Sequence, residues 1–149
     1  MVKTEIRKGA DGSVHATVVG KIDEHFDGHD ILAAAKDSRK VILKMDGVRS
    51  ISSLGVRALE AFMMALGDRT VVLEEISAAM ANQVTMIPNL LGNASVERAK
   101  LPFVCPSCGA EGAHPVPYES NAATAHAPKC AQCGAKMEFD GYSEEYLPR

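Results

Sequence analysis

The chain has 149 residues, 46% hydrophobic and 23% charged, with a formal net charge of −3. That is the balance of an ordinary soluble globular protein near the upper end of the commonest single-domain size. No apolar stretch approaches the roughly 18 residues of a membrane span, and the N-terminal run Met1-Val2-Lys3-Thr4-Glu5-Ile6-Arg7-Lys8 lacks the apolar region of a secretory signal, so a cytoplasmic location is expected.

Residues 2–8 read as an edge-like strand, with Val2, Thr4, Ile6 and Lys8 on one face. Gly9-Ala10-Asp11-Gly12-Ser13 is turn chemistry, and the β-branched run Val14 to Ile22 is a second strand that completes a hairpin. A polar stretch from Asp23 to Asp30 leads into a short helix at about 28–37, with Ile31, Leu32 and Ala35 as its apolar stripe. Val41-Ile42-Leu43-Lys44-Met45, closed by Asp46-Gly47, reads as a central parallel strand covered on both faces. A strong helix then runs to about Leu66, with Leu54, Ala58, Leu59, Phe62, Ala65 and Leu66 on its buried face. Thr70 to Leu73 is another buried strand. Ser77 is placed to N-cap a third helix that Pro88 ends, and the segment from Ala94 to Val104 contains one more strand.

Strands alternating with helices predict an α/β fold with a mixed, largely parallel β-sheet and packed helices. The predicted domain boundary lies near Leu101, giving an α/β domain over 1–100 and a small β module over 101–149.

The second part carries all four cysteines, as Cys105-Pro106-Ser107-Cys108-Gly109 and Cys130-Ala131-Gln132-Cys133-Gly134, with 21 residues between the pairs. Two C-x-x-C turns, each followed by glycine, predict a tetrahedral Zn2+ site with Cys105, Cys108, Cys130 and Cys133 as ligands. Four sulfurs leave no open position, so the expected zinc is structural. A redox dithiol pair and two disulfides are the competing readings, and a reducing cytosol disfavours the second. His114 and His126 lie between the pairs and read as loop residues. Five of the seven aromatics, Phe103, Tyr118, Phe139, Tyr142 and Tyr146, fall in this part and are expected to form its miniature core. The pattern resembles a zinc ribbon, a two-knuckle β-hairpin module.

Three segments of the first hundred residues are similar to a known family in order and spacing. Gly20-Lys21-Ile22-Asp23 looks like the end of its second strand. Val41 to Val48 looks like its strand-plus-turn, and Ile51-Ser52-Ser53-Leu54-Gly55-Val56 falls where its helix-opening motif stands. The chain thus resembles a STAS domain, the family of anti-sigma-factor antagonists and related partner-switching modules. The resemblance implies a STAS-like sheet and a protein partner, a histidine-kinase-like ATPase that is both serine kinase and anti-sigma factor. It implies phosphorylation at Ser53, with Ser52 as the alternative acceptor, and a partner-binding surface including Asp23, Ser52, Ser53, Leu54 and Arg57. Ser52 stands where the family has Asp, and Leu54 where it has a second Ser or Thr. The simpler alternative is that Ser52 or Ser53 only caps the helix.

The leading expectation is a non-enzymatic signalling adaptor. A constitutive protein-binding scaffold without phosphorylation is the second reading, and nucleic-acid binding through the ribbon the third. Residues 101–149 hold three basic and six acidic side chains, the opposite of a nucleic-acid footprint. No phosphate-cradling glycine loop, nucleophile–base pair or open metal site argues for an enzyme. The edge strand at 2–8 leaves self-association open.

Overall fold

The computed structural model describes residues 2–148. In chain order it contains strands β1 (Lys3–Lys8) and β2 (Val14–Ile22), helix α1 (His29–Ala34), strand β3 (Lys40–Ile51), helix α2 (Ser53–Ala65), strand β4 (Thr70–Ser77) and helix α3 (Ala78–Met86). Strands β5 (Ser95–Val104) and β6 (Glu111–Pro117), helix α4 (Ala122–Ala125), strand β7 (Glu138–Phe139) and a 3-10 turn (Ser143–Glu145) follow. The sheet order is β1-β2-β3-β4-β5-β6, with β7 also paired to β5. Strands β2 to β5 run parallel to one another, while β1, β6 and β7 add antiparallel pairing at the margins. The expected α/β class with a mixed sheet is therefore present.

Burial alternates along β3. Val41, Leu43 and Met45 are fully buried, Ile42 is half-buried, and Lys44 is exposed. The helices thus cover one face of the sheet and leave the other to water, which corrects the expectation of a strand covered on both faces. The open face is kept in water by charge. A register shift in β4 opposite Leu43 and Lys44 inserts an extra residue, Glu74, and a bulge of this kind re-aims side chains. Arg98 on β5 then reaches Glu74, Glu75 and Glu97, each at 3.4 Å, and Lys100 reaches Asp46 at 3.7 Å.

β3 does not stop at Asp46-Gly47. It continues to Ile51 beside the second half of β2, with two register shifts along the way. Turn chemistry at Asp46-Gly47 yields to pairing, because β2 is long and its far half needs hydrogen-bond partners. The covered face packs Ile31, Leu59, Phe62, Leu66 and Met80 over the buried rows of β2, β3 and β4. Phe26 meets Phe62 edge to face at 5.4 Å, a favoured aromatic geometry. On α2 the buried residues are Gly55, Val56, Leu59, Phe62 and Met63. Leu54 and Ala65, expected on that face, are instead exposed. The helix sits rotated because its first turn is pressed against the end of β2.

The expected boundary near Leu101 falls inside β5. This strand pairs with β4 over Ser95 to Lys100, with β6 over Arg98 to Val104, and with β7 at Phe103 and Val104. One strand therefore belongs both to the parallel sheet and to the cysteine-bearing hairpins. The C-terminal turn folds back on α3, where the Asn82 side-chain amide donates to the Glu145 carbonyl at 3.1 Å, and Leu147 is buried.

Candidate functional site

Two places gather the residues singled out by sequence. The first is the cysteine cluster. Cys105 begins a tight turn between β5 and β6, in which its N–H donates to the Ala110 carbonyl at 2.8 Å and Gly109 N–H donates back to the Cys105 carbonyl at 2.9 Å. The second knuckle repeats this with Cys130, Ala135 and Gly134, at 2.7 and 2.8 Å. Gly109 and Gly134 both have φ of 77°, a left-handed conformation that glycine adopts without steric cost. That common turn is the physical reason for glycine after each C-x-x-C.

The turns bring all four sulfurs within 4.8 Å of one another. Cys105 Sγ lies 3.4 Å from Cys133 Sγ, and Cys108 Sγ lies 3.6 Å from Cys130 Sγ. A disulfide needs about 2.05 Å. Four thiolates around one zinc at about 2.3 Å stand about 3.8 Å apart along each tetrahedral edge. The spacing fits a shared metal and does not fit disulfides.

The amides of the knuckles act on the sulfurs electrostatically. The Cys108 amide, with that of Ser107, pulls the Cys105 thiol down to about 6. The Cys133 and Gln132 amides likewise lower Cys130. Cys108 is pushed up to about 12: the Ala110 amide favours its thiolate, but the hydrogen bonds that its S–H donates to the Cys130 and Cys105 sulfurs, with desolvation, outweigh it. Cys133 is raised in the same manner, against the Ala135 amide. Four thiols this close cannot all ionise without a cation among them, so the donor set suits a divalent metal.

Around the knuckles, Phe103, Phe139 and Tyr146 form an edge-to-face row with centroids 5.8 and 5.6 Å apart. Tyr142, by contrast, is 68% exposed and is no part of this small core. His114 is not in a loop. It lies on β6 opposite Leu101 and meets the Phe103 ring at 6.0 Å. His126 is the exposed C-cap of α4. Neither joins the sulfur cluster.

The second place is the start of α2. Ser52 is the N-cap, and its hydroxyl oxygen accepts from Gly55 N–H at 3.0 Å. Its own N–H donates to the Ile22 carbonyl at 3.0 Å, tying the helix entrance to the end of β2. Ser53 is the first helical residue and is exposed. Gly55 lies against Ile22 and Asp23, and a Cβ there would overlap the Ile22 carbonyl and stand 3.1 Å from Asp23 Cα. The Asp23 segment is thereby held beside Ser52 and Ser53. Asp23 Oδ1 accepts from His25 N–H at 2.9 Å, and that amide bond is the first reason its carboxyl lies below the usual range.

Leu54, 53% exposed, and Arg57, also exposed, continue the outer face. Ser53, Arg57, Glu60, Ala61 and Met64 recur at helical spacing and are all exposed, with Met64 at 81%. Sequence reasoning did not single out Gly55. Its signal was a glycine in a helical first turn, which costs about 1 kcal/mol against alanine and so asks for a packing reason.

Replacing Ser52 with Ala removes the oxygen that caps Gly55, and should lower stability by about 1 kcal/mol. Ser53→Ala should be near neutral. Urea denaturation of the two variants checks this, and equal losses would show that Ser52 is not the cap.

No protein-family model and no curated protein sequence matches this chain.

Proposed function

We propose that this chain is a STAS-like, non-enzymatic signalling adaptor that binds a protein partner through the outer face of α2, with Ser53 as a phosphorylation switch and a zinc-ribbon-like site of four cysteines that stabilises its C-terminal part. The partner class is a histidine-kinase-like ATPase acting as serine kinase and anti-sigma factor. The observation that carries the reading is the position of Ser53. It is exposed, it opens α2, and it stands beside the segment of Asp23 and above Arg57 and Leu54.

The chemistry suits a switch. A phosphate adds about −1.5 to −2 charge. On the first residue of a 13-residue helix it faces free N–H groups and the positive end of the helix dipole, so the fold tolerates it. Arg57, one turn on, is placed to neutralise part of it. The partner meets a changed surface: an exposed strip with Leu54 and Met64 as apolar contacts gains a strongly hydrated dianion at its head. Ser52 is occupied as the cap, which makes Ser53 the freer hydroxyl.

Zinc is the best occupant of the cysteine cluster. Cys105, Cys108, Cys130 and Cys133 would hold it, and the knuckle amides would orient their sulfurs. Bound there, the metal supplies cross-linking of two turns and no open coordination position.

The test uses Ser53→Asp and Ser53→Ala with the ATPase partner. A switch predicts that affinities for the two variants differ by about tenfold or more, about 1.4 kcal/mol, with phosphate found on Ser53 in cells. Equal affinities would favour a constitutive scaffold. That second reading draws on Ser52, which stands in place of the family's acidic residue and removes a contact that a motif-reading kinase uses.

A further inference from the structure

We propose that two copies of this chain join through their β1 strands, antiparallel about a two-fold axis at Ile6, so that the two sheets continue into one another. This contact involves β1 alone and rests neither on Ser53 nor on the partner of α2.

Backbone register identifies the free edge. Gly9 N–H donates to the Ser13 carbonyl at 2.8 Å, and Gly12 N–H to the Gly9 carbonyl at 3.1 Å, closing the turn between β1 and β2. From there the ladder sets Lys8 opposite Val14, Arg7 opposite His15, Ile6 opposite Ala16, Glu5 opposite Thr17 and Thr4 opposite Val18. Bonded and unbonded pairs alternate along an antiparallel ladder. Arg7, Glu5 and Lys3 are therefore bonded to β2, and the N–H and C=O of Thr4, Ile6 and Lys8 point away from it. Among the described residues, β1 pairs with β2 only, and no hydrogen bond from elsewhere in the chain ends on Thr4, Ile6 or Lys8. Such a row is a template for a further strand. The opposite edge of the sheet, β6, carries Pro115 and Pro117, which cannot donate, whereas β1 has no proline.

Charge selects a second copy of β1 and fixes its register. Glu5 and Arg7 lie on the open face and are exposed, and among the described residues neither has an ion-pair partner within the chain. With the axis at Ile6, Glu5 faces the partner's Arg7 and Arg7 faces the partner's Glu5. Both fall at unbonded pairs, where side chains across the ladder come closest. Ile6, an apolar side chain 36% exposed, faces the partner's Ile6 on the helix-covered side, and Thr4 faces the partner's Lys8. An axis at Glu5 would instead set Glu5 against Glu5 and Lys3 against Arg7. An axis at Arg7 would set Arg7 against Arg7. Like charges directly opposite are destabilising. An axis at Thr4 would draw in Val2, outside β1, and Val2 and Thr4 already line a pocket with residues 25–31. The axis at Ile6 keeps the whole ladder, Thr4 to Lys8, within β1. A ladder this short buries little area, so the dimer is reversible.

The experiment follows the reduced, zinc-supplemented full chain by sedimentation as its concentration is raised, and monomer should give way to dimer. In 15N-labelled protein the amides of Thr4, Ile6 and Lys8 should exchange with solvent more slowly as dimer forms, while those of Lys3, Glu5 and Arg7, already bonded to β2, should change little. Glu5→Arg and Arg7→Glu, both at exposed positions, should each weaken self-association about tenfold or more, because two attractive pairs become repulsive. Mixed in equal amounts, the two variants should form a heterodimer as tight as the parent dimer, since each supplies the charge that the other has lost. Monomer at every concentration, a dimer that leaves exchange at Thr4, Ile6 and Lys8 unchanged, single variants that associate as the parent does, or a mixture no tighter than either variant alone would each overturn the proposal.

Discussion

Removing metal from the reduced protein with a chelator is expected to release β6, α4 and β7 from protection while β1 to β4 remain folded. The reason lies in how little else holds that part. β7 has two residues and α4 has four, far below what is stable alone. The aromatic row of Phe103, Phe139 and Tyr146 is a small core, and the two knuckles meet through their sulfurs beside the short β5–β7 pairing. In small zinc peptides, metal binding supplies about 10–16 kcal/mol of apparent free energy. β5 limits the damage, because Ser95 to Lys100 stay paired with β4. α3 is expected to loosen, since Asn82 loses its acceptor at Glu145 when the C-terminal turn leaves. Hydrogen exchange read by mass spectrometry, with metal content measured before and after, checks this. Cys105→Ser should reproduce the pattern. Retained protection of β6 and β7 in metal-free, reduced protein would show that the cluster does not stabilise the fold.

Gly55→Ala is expected to destabilise the protein by about 1–3 kcal/mol, although alanine is the better helix former by about 1 kcal/mol. The two effects have opposite sign, which makes the measurement decisive. In an isolated helix the substitution would stabilise. Here the new methyl overlaps the Ile22 carbonyl, a backbone atom with no rotamer to change, and crowds Asp23 Cα. The first turn of α2 must lift off the end of β2, and the Ser52 N–H bond to Ile22 lengthens with it. Ser53, Leu54 and Asp23 then lose their fixed relation, so affinity for the partner proposed above should fall together with stability. Urea denaturation of the variant gives the first quantity and binding the second. An unchanged or raised midpoint would remove the tight seat of α2 on β2.

Much of this was open to sequence reading for local reasons. Each C-x-x-C-Gly names its own turn, because the glycine φ and the reach of two sulfurs are set within one short stretch of chain. Ser77 as the cap of α3 was legible likewise, and its hydroxyl accepts from Met80 N–H at 3.2 Å. The hairpin of β1 and β2 followed from alternation around a glycine-rich turn. Other features depend on remote chain. Asp46-Gly47 reads as a stop, yet it pairs within a 12-residue strand, since the partner strand decides how long a ladder runs. Leu54 has the spacing of a core residue, yet it is exposed, because Gly55 rather than Leu54 meets the sheet. His114 reads as loop because it lies between the two cysteine pairs, yet it lies in a strand whose partner, β5, begins at Ser95, well before the first cysteine.

The sequence by itself determined the α/β order, the Ser77 cap of α3 and the four cysteines that cluster, all consequences of short-range backbone and side-chain chemistry. Only the tertiary structure decided that one sheet face stays open and that β5 serves both the parallel sheet and the cysteine hairpins. Those depend on which distant segments meet, and pairing energy along a strand is collected only after its neighbours are in place.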